Sequence, residues 1–254
     1  MNYQTEIDNV AEWMKDYVAK AGVKGFVIGL SGGIDSSVIA WLAVQAVGKE
    51  NVIGVSLPCQ TRKDMKTDAR KLAENLGIRF ETIELRSSVG YLSDGVIMTG
   101  TDVNPLVLAN IKARLRMTAL YAMAGANNYI VVGTGNLSEL MVGYFTKFGD
   151  GGVDMEPLGN YYKTEVYKMA ELMPEIPNSV KTKAPSADLW DGQTDEEELG
   201  MSYAELDKIL YALLNPNSSK LDKFDIEKIT KVENMIRASV HKNNVPPRYI
   251  RIGD

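Results

Sequence analysis

The stretch Gly29-Leu-Ser-Gly-Gly-Ile-Asp-Ser-Ser37 lies between the apolar run Gly25-Phe-Val-Ile-Gly-Leu30 and a helical pattern over 36–47. A short continuous apolar run fits a strand covered on both faces, as in a parallel sheet. Glycines between such a strand and a helix let backbone amides approach an anion, and the helix N-terminus favours negative charge. The loop is therefore expected to bind phosphate. It lacks the Gly-Lys-Ser/Thr ending of a Walker A loop, and with it the lysine that reaches the β- and γ-phosphates. The hydroxyls of Ser31, Ser36 and Ser37 are candidate donors instead. Asp35, at the mouth of an anion site, would repel a bare phosphate, so a carboxylate there fits a nucleotide whose magnesium ion bridges the two. The alternative is that Asp35 or Ser36 simply caps the helix, a common use of these residue types.

Outward from the loop, strand and helix patterns alternate. Ile7, Val10, Met14, Val18 and Ala21 recur at helical spacing and predict an amphipathic first helix ending near Gly22. Strands are expected over 51–57, 79–84 and 129–133, and helices over 63–76, stopped by Gly77, and over about 105–126, opened by Pro105. This alternation implies a doubly wound parallel α/β sheet with helices on both faces, whose ligands sit at the carboxyl ends of the strands. After Gly143 come a glycine-rich segment at 148–152 and a helix over 163–173. The acidic stretch 181–200 is expected to be a loop, either a solvated surface segment or a mobile lid over a site. Two more helices, 203–214 and 223–240, follow.

The chain has 254 residues, 45% hydrophobic and 24% charged, which fits one globular domain over 1–254 and excludes disordered and fibrous classes. A net charge of -5 argues against wholesale nucleic-acid binding. The single cysteine, Cys59, excludes an internal disulfide framework and suits a reducing, cytoplasmic compartment. No run approaches the length of a membrane span, and residues 1–20 lack the apolar core of a signal peptide.

At Ser31–Ser37 the sequence resembles the ATP pyrophosphatase superfamily, a loop shared by several enzyme groups. Later stretches discriminate: Asn110-Ile-Lys-Ala-Arg-Leu-Arg-Met117, Gly133-Thr-Gly-Asn-Leu-Ser-Glu139, Phe145-Thr-Lys-Phe-Gly-Asp-Gly-Gly-Val-Asp154, Lys183-Ala-Pro-Ser-Ala-Asp-Leu189 and His241-Lys242. Together, over essentially the whole chain, they resemble the ammonia-dependent NAD synthetases. The resemblance implies an adenine nucleotide α-hydrolase-like fold and a reaction in two halves. The carboxylate of deamido-NAD (nicotinic acid adenine dinucleotide) attacks the α-phosphate of ATP and pyrophosphate leaves. Ammonia then displaces AMP from the acyl-adenylate. It also implies Mg2+ and a homodimer with the dinucleotide near the subunit interface. No glutaminase-like domain precedes the loop, so the expected nitrogen donor is free ammonia or ammonia delivered by a separate protein, and Cys59 reads as structural.

By the same resemblance, ATP contacts fall on Gly29, Leu30, Ser31, Gly32, Gly33, Ile34, Asp35 and Ser36 of the loop, and on Thr134, Lys163 and Ser186. Deamido-NAD contacts fall on Arg114, Lys147, Asp154, His241 and Lys242, with Asn110 one turn from Arg114. Asp35 and Glu139 are the implied metal ligands, and Asp35 and Lys163 the residues implied in catalysis. Each has a plainer alternative: Glu139 a surface glutamate favoured by the helix dipole, Thr134 a turn residue, and the 145–154 segment a flexible hairpin. Arg114 and Arg116 project about 200° apart on a helix, so only one is expected to face the site. His241, the only histidine, is a candidate general acid-base group, a dinucleotide ligand or a surface residue. One departure stands out: many family members carry Asp-His where this chain has Gly135-Asn136. A tRNA-modifying adenylating enzyme and a non-catalytic nucleotide-binding module are the competing classes. The acidic balance disfavours the first.

Overall fold

Phe26–Gly29 forms β1, and its alternation splits the core into two layers. Phe26 and Ile28 join one buried cluster with Met14, Val38, Ile39 and Leu72, whereas Val27 joins another with Val55, Ile111 and Val131. β2 (Val52–Ser56), β3 (Arg79–Thr82) and β4 (Ile130–Val132) complete a four-stranded, all-parallel sheet of order β3-β2-β1-β4. α1 (Tyr3–Ala21), α2 (Ile34–Val47), α3 (Lys63–Leu76) and α7 (Lys163–Glu171) feed the first cluster. α4 (Arg86–Ile97) and α5 (Pro105–Asn127) feed the second. The structure, a computed structural model, describes residues 1–59, 63–185, 194–216, 221–249 and 251.

The strand order carries the functional consequence. From β1 the chain moves to β2 and β3 on one side and then crosses to β4 on the other, so the crevice lies between the carboxyl ends of β1 and β4. Out of those two ends come the Gly29–Ser37 loop with α2, and the 133–136 turn with α6 (Leu137–Val142). The glycine-rich segment then returns along the outer edge of β4. Val132 bridges to Met155, and the Asp154 carboxylate accepts the Val131 N–H at 2.7 Å.

A third cluster packs α10 (Tyr203–Leu214) and α11 (Ile226–Asn243) on α6 through Val142, Leu206, Ile209, Leu210 and Val232. It carries the end of α11 to the crevice. Fully burying each such aliphatic side chain contributes about 1.5–3 kcal/mol.

One helix went unread and two readings need correction. α4 has a single buried residue, Val89, so its apolar spacing was too weak to mark it as a helix. The stretch 181–200 is not one loop. Lys181 ends the short helix α8 (Asn178–Lys181), and α9 (Asp195–Leu199) starts on a Thr194 cap whose hydroxyl accepts the Glu197 N–H. The final helix runs Ile226–Asn243, capped by Asp225, rather than 223–240. Ser186, and with it the centre of the stretch read as a lid, lies outside the described residues. Among the described residues, no helix is long and apolar enough to cross a membrane.

Candidate active site

α2 begins on Gly33, which is extended (φ -92°) and offers no side chain to cap the first turn, so the leading N–H groups face the crevice without an internal acceptor. Gly32, at φ +83°, makes the turn that points them there, in the left-handed region glycine adopts without strain. Ser31 Oγ accepts the Gly33 N–H at 3.1 Å and lies 3.1 Å from Ser36 Oγ. Ser31 and Ser36 line the crevice. Ser37 does not: its buried hydroxyl donates to Gly33 O at 2.7 Å, inside the helix, which corrects its reading as a phosphate donor. The cap-only reading of Asp35 fails too, because its carboxylate is engaged across the crevice.

That engagement is built from α6 and α7. Asn136 and Glu139 form a capping box: Asn136 Oδ1 accepts the Glu139 N–H at 3.1 Å, and Glu139 Oε2 accepts the Asn136 N–H at 3.3 Å. The other end of the fully buried Asn136 amide donates to Asp35 Oδ1 at 3.0 Å. Lys163, the first residue of α7, donates from Nζ to Asp35 Oδ2 at 2.5 Å and to Glu139 Oε1 at 3.0 Å. Its backbone is fixed by Ser138 Oγ, which accepts the Lys163 N–H and donates to Asp207. Asp207 also accepts the Thr164 N–H, so it caps α7 from α10.

Lys163 is 2% exposed, and its ammonium also stands 5.0 Å over the Tyr203 ring. Burial opposes its charge, but the Asp35 and Glu139 carboxylates outweigh burial and raise its pKa. Glu139 is pushed up to about 7, chiefly by burial and by Asp35, with Lys163 acting in the opposite sense.

The crevice widens into a cavity of about 780 Å³, within the range that holds small-molecule ligands. Its walls bring together most of the expected residues: the loop except Gly32 and Ser37, then Thr134, Glu139, Lys163, Asn110, Arg114, Lys147, His241 and Lys242. Arg114 and Arg116 both line it, contrary to expectation. They reach in opposite directions, Arg114 to Lys147 O at 3.3 Å and Arg116 to Leu57 O at 3.1 Å, and the cavity is wide enough to touch both. Lys147 Nζ donates to the His241 carbonyl, and Lys242 Nζ to Gly143 O and Phe145 O at 2.7 Å, so the two lysines staple α11 to the glycine-rich segment. Asp154 is not part of the cavity wall. It sits outside β4, where Tyr121 OH donates to its carboxylate at 3.0 Å. Cys59 is buried just beyond β2, and burial raises its thiol pKa.

Sequence reasoning missed four partners. Asn136 carried a legible signal, the Asn-x-x-Glu capping spacing. Tyr203, Asp195 and Glu156 did not. Tyr203 OH lies 3.3 Å from Glu139 Oε1 and 3.2 Å from Asp195 Oδ2. Glu156 accepts the Gly135 N–H at 3.2 Å, and a Cβ at 133 would stand 2.3 Å from the Glu156 carboxylate and push it aside. Burial, Asp150 and Glu139 push Glu156 up to about 8 against that hydrogen bond.

The sequence comparisons agree with this geometry. The family model described as NAD synthase matches residues 6–246. The NH(3)-dependent NAD(+) synthetase of Archaeoglobus fulgidus is 41% identical over 250 residues, 97% of this chain and 97% of that protein. Among solved structures, NMN synthetase from Francisella tularensis matches with a TM-score of 0.87 at 34% identity, covering 98% of this chain and 99% of that one. The NH3-dependent NAD synthetase from Campylobacter jejuni matches with a TM-score of 0.83 at 29% identity, covering 98% and 100%. A glycine loop without a Walker lysine, an acid pair bridged by a buried lysine, and a match running almost from end to end carry one conclusion: the chain belongs to the NAD synthase family.

Proposed function

We propose that this chain is a ligase that amidates deamido-NAD with ammonia at the expense of ATP, giving NAD, AMP and pyrophosphate. A free carboxylate is a poor acyl donor because oxide would have to leave. Adenylation replaces oxide with AMP, a stable leaving group. In the first half, a carboxylate oxygen of deamido-NAD bonds to the α-phosphorus as the bond to pyrophosphate breaks. In the second, ammonia adds to the acyl carbon, AMP departs carrying that oxygen, and a proton is lost from nitrogen.

The observation that carries this reading is the pairing of Asp35 and Glu139 around one cation, the Lys163 ammonium, beside the open N-terminus of α2. Two carboxylates able to share a cation are a donor set for Mg2+. They would hold it there, where it would offset their repulsion of the polyphosphate and the charge on departing pyrophosphate. The amides of α2, with Ser31 and Ser36, would hold the phosphates, and Lys163 would stabilise the leaving group. Thr134 and Ser186 would complete the ATP contacts. Arg114, Lys147, His241 and Lys242 would bind the acceptor in the cavity, and Asp154 the part of it that runs past β4.

The rest of the reading is a single catalytic domain that works as a cytoplasmic homodimer. Exposed apolar side chains on α4 and at the start of α5, including Tyr91, Ile97, Met98 and Leu106, support the dimer. The NMN synthetase match makes the mononucleotide a second candidate acceptor. Steady-state assays with ATP, Mg2+ and ammonium should give a kcat/KM at least about 10-fold higher for deamido-NAD than for deamido-NMN, the effect of about 1.4 kcal/mol in transition-state binding. Equal or reversed preference would overturn the dinucleotide assignment.

A further inference from the structure

We propose that Tyr203 is a positioning residue that fixes the Glu139 carboxylate for metal binding and ties it to Asp195. This rests on reading Glu139 as a metal ligand. Tyr203 is the first residue of α10, 64 positions from Glu139, and its side chain is buried in the third cluster. Its backbone is set from two sides: Ser202 caps α10, and Glu196 Oε1 accepts the Tyr203 N–H at 2.9 Å. The ring therefore enters the site at a defined height, with the hydroxyl 3.3 Å from Glu139 Oε1 and 3.2 Å from Asp195 Oδ2.

A glutamate has three side-chain torsions to fix before it can present an oxygen to a cation. Glu139 Oε2 is held by the Asn136 N–H, and Oε1 by Lys163 and Tyr203. Lys163 is also the group assigned to the leaving pyrophosphate, so Tyr203 is the holder of Oε1 with no other part in the reaction. A tyrosine hydroxyl is protonated at neutral pH and serves as a donor. A phenol has one proton and can serve one of its two carboxylates at a time. The Tyr144 hydroxyl, 3.2 Å from Asp195 Oδ1, also donates to Glu198 Oε2, so the Tyr203 proton is shared between Glu139 and Asp195 and couples the two. Asp195 N also donates to Pro185 O at 3.0 Å, so the same hydroxyl connects the metal carboxylate to the point where residues 185 and 195 meet.

Tyr203→Phe removes the hydroxyl and keeps the ring under the Lys163 ammonium. Mn2+ binding is measured by electron paramagnetic resonance with ATP present and deamido-NAD absent, so that no turnover enters. The variant should bind Mn2+ about 10-fold more weakly than wild type, the usual cost of losing a group that orients a metal ligand. In the amidation assay its Mg2+ midpoint should rise while KM for deamido-NAD stays within about twofold, with far-UV circular dichroism unchanged. Equal Mn2+ affinity in variant and wild type overturns the positioning role and leaves the proposed function standing. An equal loss of ATP affinity in EDTA overturns it also, because the effect would then be structural. Absence of Mn2+ binding by the wild type would overturn the metal assignment of Glu139 itself.

Discussion

Lys163→Met is expected to lower kcat about 10²–10³-fold, the cost of removing one preorganised charge-stabilising donor, and to destabilise the ligand-free protein. The second effect follows from burial. Lys163 is the cation between Asp35 and Glu139, whose side chains are only 16% and 15% exposed. A buried ion pair adds little net stability, but removing one partner leaves uncompensated charge and costs about 3–5 kcal/mol. For a chain of this size that is a fall in Tm on the order of 10 °C.

The loss should depend on pH with a definite sign. Burial and Asp35 raise the Glu139 carboxyl above its unfolded value, and Lys163 is the group holding it down. Without the lysine the carboxyl shifts further up. A raised carboxyl is harmless where it is protonated and costs stability as pH rises through its folded-state pKa. Calorimetry in EDTA should therefore show a larger gap between variant and wild type at pH 8.5 than at pH 6. A variant as stable as wild type at both would show that the carboxylates do not depend on this lysine.

Asp35→Asn is expected to leave a folded protein that no longer releases pyrophosphate, with a loss on the order of 10³-fold, corresponding to several kcal/mol of metal-dependent charge stabilisation. The substitution is nearly isosteric, and the carbonyl of the introduced amide can still accept from Asn136. Lys163 keeps Glu139 as its partner, so far-UV circular dichroism should not change. The amide carries no charge to share with Glu139 around a cation, so Mg2+ should no longer restore turnover at any concentration tested. Turnover within about threefold of wild type would mean that the metal sits elsewhere.

How much of this was legible follows from where each contact lies in the chain. The glycine loop and the four strands are written in local pattern: an apolar run, two glycines and a helix start within about a dozen residues, then the same alternation repeated. Because parallel strands all end at one rim, that pattern also brings Asp35 and Glu139, each following a strand, to the same side of the sheet. What was lost is long-range or weakly periodic. Tyr203 meets Glu139 from 64 positions away, and Ser138 meets Asp207 from 69. No local spacing marks such pairs. Arg114 and Arg116 were misjudged because helical angle fixes the direction of Cβ, not the reach of a long side chain. Ser37 was misjudged because its hydroxyl had a partner inside its own helix, Gly33 O, which a motif alone does not show.

The reaction itself is tested most directly by following one oxygen atom. Deamido-NAD labelled with 18O in its carboxylate is incubated with the protein, ATP, Mg2+ and ammonium, and the products are read by mass spectrometry. Attack of the carboxylate on the α-phosphorus requires one labelled oxygen in AMP for each NAD formed, with pyrophosphate unlabelled. Label in inorganic phosphate, with ADP as the nucleotide product, would mean attack at the γ-phosphate and would contradict the account at its centre.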